Sequence, residues 1–358
     1  MKKMRWLAML RALVMIAAAC GSDDESSDAG GDDGSSDTTA APADDDGSDT
    51  TAAADDDGAT DTTEDVAVAQ GGDLTFLMMT LSDEGPLWTV VQFGAEAAAA
   101  AMGVNLVWLA SNNDPGVQAQ MIDQAISEGS DGIASSLPSP DQLVPGLQAA
   151  VGGGIPVYTL NSGVNDYQDI GATTHVGQTE FIAGQGAGLR FNDLGATSIL
   201  CGRQEESNVA LEERCDGLAD TFSGEVISEF MGLDQDAAAQ EANINALLSA
   251  NPQIDGFMGA GPVIGLSGLR ASEALGRGLT IGAFDITPEI IDAIDAGTIS
   301  FTVDQQQYLQ GYLPIVLLFL EVTNKNTAGG GLPILTGPGF VDTSNVAAVA
   351  DLVAQSTR

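Results

Sequence analysis

Leu74-Thr75-Phe76-Leu77-Met78-Met79 opens a pattern that repeats along the rest of the chain. These six mostly apolar residues read as a buried strand, the alanine-rich stretch 87–102 as a helix, and 104–110 as a second strand. The alternation continues with a helix over 117–128, a strand over 131–136, a helix over 142–151 and a strand over 155–160. After a bridging strand over 170–176, a second set supplies strands at 198–201, 225–231, 256–259 and 280–284. Strands alternating with helices of this length predict an α/β protein whose parallel sheets carry helices on both faces. About 290 residues follow Gly71, enough for two lobes, each doubly wound around its own core. The apolar run 313–320 is too short to span a bilayer and is interrupted by Pro314, so it is expected to be a buried helix.

Ahead of the folded body lie Lys2, Lys3, Arg5 and Arg11, then an apolar run over 12–19 and Ala17-Ala18-Ala19-Cys20. A basic start and a short apolar segment read as a secretory leader. Small residues before a cysteine resemble a lipoprotein signal peptide over residues 1–19. That resemblance implies cleavage before Cys20, a diacylglycerol on its thiol, and anchoring at the outer face of the cytoplasmic membrane. The alternative is an ordinary signal peptide with an unmodified Cys20; either exports the protein. Residues 20–72 contain little besides Asp, Ser, Thr, Gly and Ala and cannot bury enough apolar surface to fold, so a disordered acidic linker is expected to precede the lobes.

The chain has 51 Asp and Glu against 11 Lys and Arg, a formal net charge of −40. From Gly71 onward 34 acidic residues face 7 basic ones. Such a field repels phosphates and offers no basic patch, which argues against nucleic acid as a partner.

In open parallel sheets ligands sit beyond the carboxyl ends of the strands. The first strand is followed by Ser82-Asp83-Glu84-Gly85-Pro86-Leu87-Trp88, the fourth ends at Asn161-Ser162-Gly163, and later strand ends deliver Glu205, Asn208, Asp285 and Gln305-Gln306. Amides and carboxylates can each engage two neighbouring hydroxyls, and an aromatic face packs on sugar C–H groups. His175, the only histidine, has no partner at metal-site spacing, so neither a metal nor a cofactor is expected.

Ile155-Pro156-Val157-Tyr158-Thr159-Leu160-Asn161, Ala283-Phe284-Asp285-Ile286-Thr287-Pro288 and Thr302-Val303-Asp304-Gln305-Gln306-Gln307-Tyr308 resemble the ribose-type solute-binding proteins of ABC importers, of the type I periplasmic binding protein fold. The resemblance implies a three-segment hinge between an N-terminal lobe, 73–177 plus 306–335, and a C-terminal lobe, 178–305 plus 336–358. It implies that Trp88 packs on the sugar, Asn161 and Asp285 ligate it, and Gln305 supplies an amide at a crossing; Asp83, Ser162 and Asn208 complete the candidate set. Gly261 stands where ribose binders have asparagine, Leu87 where they have an aromatic, and Ser162 and Glu212 where they have arginines, which points to another sugar, a polyol or a furanoside signal. The implied activity is capture, without catalysis, by a monomer that delivers its ligand to an ABC permease with a cytoplasmic ATPase.

Two other functions fit parts of the sequence. A binding protein of this kind can present its ligand to a chemoreceptor or sensor kinase. Gly259-Ala260-Gly261-Pro262-Val263-Ile264-Gly265, followed by Asp285, imitates a dinucleotide fingerprint and would make an exported oxidoreductase. Cys201 and Cys215 have two readings, a disulfide permitted by export or two buried free thiols.

Overall fold

The computed structural model describes residues 71–83 and 85–358. The expected leader, Cys20 and nearly all of the acidic linker lie outside the described residues.

Strands β1 (Thr75–Thr80), β2 (Asn105–Ala110), β3 (Gly132–Ser136), β4 (Val157–Asn161) and β5 (Thr174–Gly177) form one parallel sheet in the order β2-β1-β3-β4-β5. Strands β6 (Ser198–Arg203), β7 (Glu225–Phe230), β8 (Gly256–Gly259), β9 (Thr280–Phe284) and β10 (Phe301–Asp304) repeat it as β7-β6-β8-β9-β10. Two short strands close the edges: β11 (Ile334–Leu335) pairs parallel with β5, and β12 (Gly339–Asp342) pairs antiparallel with β10. The chain therefore passes between the sheets three times, after Gly177, after Asp304 and after Leu335.

The connecting helices are α1 (Pro86–Met102), α2 (Pro115–Glu128), α3 (Pro140–Gly152), α4 (Tyr167–Ile170), α5 (Glu180–Asp193), α6 (Val209–Thr221), α7 (Ala237–Ala250), α8 (Pro262–Ala274), α9 (Pro288–Asp295), α10 (Gln307–Asn324) and α11 (Ala350–Ala354). Five of them begin on a proline, whose fixed φ suits the first helical position and whose missing N–H costs nothing there. Apolar periodicity alone started α1, α2 and α3 one or two residues late for this reason. The expected strand over 170–176 is also corrected. Residues Tyr167–Ile170 form a helical turn ended by Gly171 in the left-handed conformation, and extended backbone resumes only at Thr174.

Each sheet is covered on both faces by apolar side chains, one sheet by clusters around Phe76, Tyr158 and Ile315 and around Ile122, Ile133 and Leu147, the other by clusters around Phe257 and Ile290 and around Phe191 and Phe301. The apolar run 313–320 lies in α10, half-buried to buried; among the described residues no helix is long and apolar enough to cross a membrane. Trp108, on β2, is half-buried against the same core. Helices α5 and α6 touch through glycines: a Cβ on Gly184 would meet Arg214 O at 2.2 Å, and one on Gly217 would meet Phe181 O at 2.0 Å. Cys201 on β6 and Cys215 on α6 are joined as a disulfide beneath this contact.

Candidate functional site

The carboxyl ends of the two sheets face each other across a narrow cleft. From the first sheet come Gly85, Pro86, Leu87 and Trp88 at the start of α1, and Asn161 at the end of β4. Proline at the first helical position places Trp88 within the first turn, where its ring is only 6% exposed and backs onto the core. From the second sheet come Gln204, Glu205, Asn208, Arg214, Asp234 and Asp285, with Leu211 and Pro262 supplying apolar surface.

Two of the polar residues reach the cleft through unusual backbone. Asn161 (φ 62°) and Asp285 (φ 68°) both occupy the left-handed region immediately at or after a strand end. Asn and Asp tolerate that region better than other side chains, and strained positions of this kind gather at functional sites. The same conformation recurs at Gln306 (φ 53°), on the second crossing.

The crossing links the two lobes by a continuous amide chain. Gln305 Nε2 donates to Asp285 Oδ1 at 2.5 Å, and its Oε1 accepts from Asn161 Nδ2 at 3.4 Å and from Gln310 Nε2 at 2.8 Å. Gln310 Nε2 also reaches Thr336 Oγ1 at 3.2 Å, on the third crossing. Gln305 therefore holds Asn161 and Asp285 in register with each other from behind the cleft wall.

The charges in the cleft are unbalanced. Arg214 Nε and Nη2 donate to the two oxygens of Glu180 at 2.7 and 3.1 Å, its Nη1 donates to Ala260 O at 2.7 Å, and its guanidinium lies 4.4 Å above the Phe284 ring centroid. This buried pair consumes the cation. Asp285 is pushed by burial up to about 7, against the pull of Arg214 and of the Gln305 amide. Burial likewise lifts Asp234 to about 6, opposed by the Gln240 amide, and raises Glu205, opposed by Asn208. The cleft is thus rich in acceptors and suits a neutral ligand that donates from several hydroxyls, with one apolar face toward Trp88.

The structure brings Trp88, Asn161, Asn208 and Asp285 to this cleft and sets Gln305 directly behind it. Asn208 also caps α6 through Ala210 N at 3.0 Å and donates to Glu205 Oε2 at 2.6 Å. Asp83 is exposed and does not line the cleft, and Ser162 Oγ, in the turn after β4, accepts from Leu137 N at 3.1 Å. Gln204, Arg214 and Asp234 are cleft residues that the sequence reading missed. Arg214, not Glu212, brings the guanidinium; Glu212 is an outer partner of Arg203 at 3.1 Å. Gly261 leaves room for Gln204, since a Cβ there would meet its Nε2 at 2.4 Å. That space, which a pyrophosphate would need at the glycine turn, is filled by a side chain.

Two hydrogen bonds join the lobes across the mouth. Val209 N donates to Pro138 O at 3.1 Å, and Asn165 Nδ2 donates to Glu213 Oε1 at 2.6 Å. The conformation is closed.

The fold recurs in known proteins. A crystal structure of a carbohydrate transporter from Acidothermus cellulolyticus 11B in complex with myo-inositol is 36% identical, covers 80% of this chain and 100% of its own, and superposes with a TM-score of 0.78. The xylose/arabinose-binding protein XylF of Sulfolobus acidocaldarius is 25% identical over 279 residues, 73% of this chain and 69% of that protein. A xylitol-binding protein of Mycolicibacterium smegmatis is 26% identical over 244 residues, 64% of this chain and 67% of that protein. Residues 76–326 match the periplasmic binding protein domain, and with two doubly wound lobes closing over a polar cleft the chain belongs to that family, as a type I solute-binding protein.

Proposed function

We propose that this chain captures a simple sugar or polyol outside the cytoplasmic membrane and delivers it to the permease of an ABC importer. The observation that carries the proposal is the closed cleft in which Trp88 from one lobe faces Asp285, Glu205 and Asn208 from the other. The names of relatives add support: they bind myo-inositol, xylose or arabinose, and xylitol, all neutral and rich in hydroxyl groups. In this mechanism Trp88 covers the C–H face of the ligand, while Asn161, Asn208 and Asp285 bind hydroxyls and Gln305 positions two of them. Asp83 takes no part in the cleft lining, and Ser162 serves the turn behind Asn161. The moving bodies are 73–177 plus 306–335 and 178–305 plus 336–358. Ligand bridging both bodies favours the closed state by its differential affinity, and the closed surface is what the permease reads. A lipidated Cys20 would hold the monomeric body to the membrane by its acidic linker.

A thermal-shift panel of pentoses, hexoses, pentitols and inositols, on protein unfolded and refolded to strip bound ligand, tests the proposal. A ligand at about a thousand times its dissociation constant adds about 4 kcal/mol and moves the midpoint by roughly 8 to 16 °C. No shift with any member of the panel would refute it.

A further inference from the structure

The cleft does not end at the ring-sized space beside Trp88. Beyond Gln204, Glu205 and Asp234 it continues into a narrow space bordered also by Asn113 and Leu233. That in turn shares Asn113, Glu205 and Leu233 with a wider outer groove, which adds Asn112, Ser207 and Phe230. Glu205 borders all three spaces. The groove therefore follows the seam between the lobes from the inner site to the surface.

The chemistry of the outer groove resembles that of the inner site. Phe230, at the end of edge strand β7, is 37% exposed, and Leu233 is 39% exposed. Opposite them on the first lobe, Asn112 and Asn113 lie in the turn after β2, both in the left-handed region (φ 52° and 63°), with Asn113 N fixed to Leu81 O at 2.8 Å. An apolar face on one lobe thus meets planar amides on the other, as Trp88 meets Asp285 inside. Between the two, Gln204 is 8% exposed and its Oε1 has no hydrogen-bond partner, although it lines both the inner and the narrow space. A buried acceptor without a partner costs free energy unless something supplies a donor.

We propose that the outer groove is a second saccharide subsite, so that the protein takes a glycoside of two linked rings, the second lying against Phe230 with its hydroxyls toward Asn112, Asn113 and Glu205. A hydroxyl beside the glycosidic linkage supplies the donor to Gln204 Oε1. Glu205 and Glu206 at the groove exclude phosphorylated or acidic sugars. This inference rests on the sugar or polyol reading of the inner site.

The test is calorimetry on the full chain with two single-ring probes, myo-inositol and xylose, and two glycosides of them, α-D-galactosyl-myo-inositol and β-1,4-xylobiose. The expected result is that the glycoside of whichever ring binds does so at least tenfold more tightly. Phe230→Ala, an exposed edge position whose fold is checked by circular dichroism, removes that gain and leaves single-ring affinity unchanged. Leu233→Ala reduces the gain in the same direction. A glycoside no tighter than its single ring, or a gain that survives both variants, overturns the outer subsite and leaves the inner reading standing. Binding of none of the four overturns the subsite, and the wider thermal-shift panel then decides the inner reading separately.

Discussion

Asp285 and Arg214 carry the electrostatics of the cleft, and each yields a prediction. Asp285, raised by burial to about 7, and Asp234, raised to about 6, bind more protons in the folded closed state than in the unfolded chain. Their contribution to stability is therefore fully present below the ordinary carboxylate range and is lost as pH rises through 6 and 7. The ligand-free melting temperature should rise as pH falls from 8 to 5, and Asp285→Asn should flatten that slope; an unchanged slope would contradict the assignment. Asp342, held below its ordinary range by the Ser344 hydroxyl and N–H, has the opposite sign but acts only at lower pH. Arg214→Met leaves Glu180 buried without its cation, and breaking such a pair costs about 3–5 kcal/mol. Urea denaturation should register that loss, and a change below about 1 kcal/mol would show that the pair is solvated.

Among these residues, legibility in the sequence followed distance along the chain. Trp88, Asn161 and Asp285 were found because each stands directly at a strand end or helix start. Gln204 escaped because β6 was ended at Cys201, whereas hydrogen bonding continues it to Arg203 and makes Gln204 the first residue beyond. Arg214 sits inside a helix, and the partner that buries it is 34 positions away, so no local pattern marks it.

At the scale of elements, the alternating pattern gave β1 to β4 with the three helices between them, and β6 to β9, because parallel strands buried on both faces are apolar throughout; it delimited neither β10 nor the helices α5 to α9. The short edge strands β11 and β12 were not legible as strands: one is two residues long, and both owe their extended backbone to pairing with β5 and β10. The glycines of α5 and α6 and the Cys201–Cys215 disulfide act on the same joint, the helix pair that carries Arg214 to the cleft. Replacing both cysteines by serine reopens a loop whose closure is worth about 3 kcal/mol in the chain-entropy model. Chemical denaturation should show a loss of that order, together with weakened ligand binding because Arg214 lies on α6 and Asn208 caps it. Full affinity in the double variant would separate the disulfide from the site.

For the whole molecule, the two sheets, three crossings and mouth hydrogen bonds describe a body that closes over its ligand. Asn165→Ala removes the exposed bond to Glu213 and should cost the closed state about 1 kcal/mol, which is roughly a fivefold change in population. Stopped-flow release should accelerate by that factor while the melting temperature of the ligand-free protein hardly moves. A slower release would contradict the assignment of Asn165 and Glu213 as a closing contact.

The most direct test of capture in this cleft is a calorimetric titration of myo-inositol, xylose, arabinose and xylitol into stripped wild-type, Trp88→Ala and Asp285→Ala proteins. One-to-one binding of at least one of these by the wild type, lost or weakened at least tenfold in both variants, is the predicted result. Binding that both variants retain, or none by the wild type, would contradict the account.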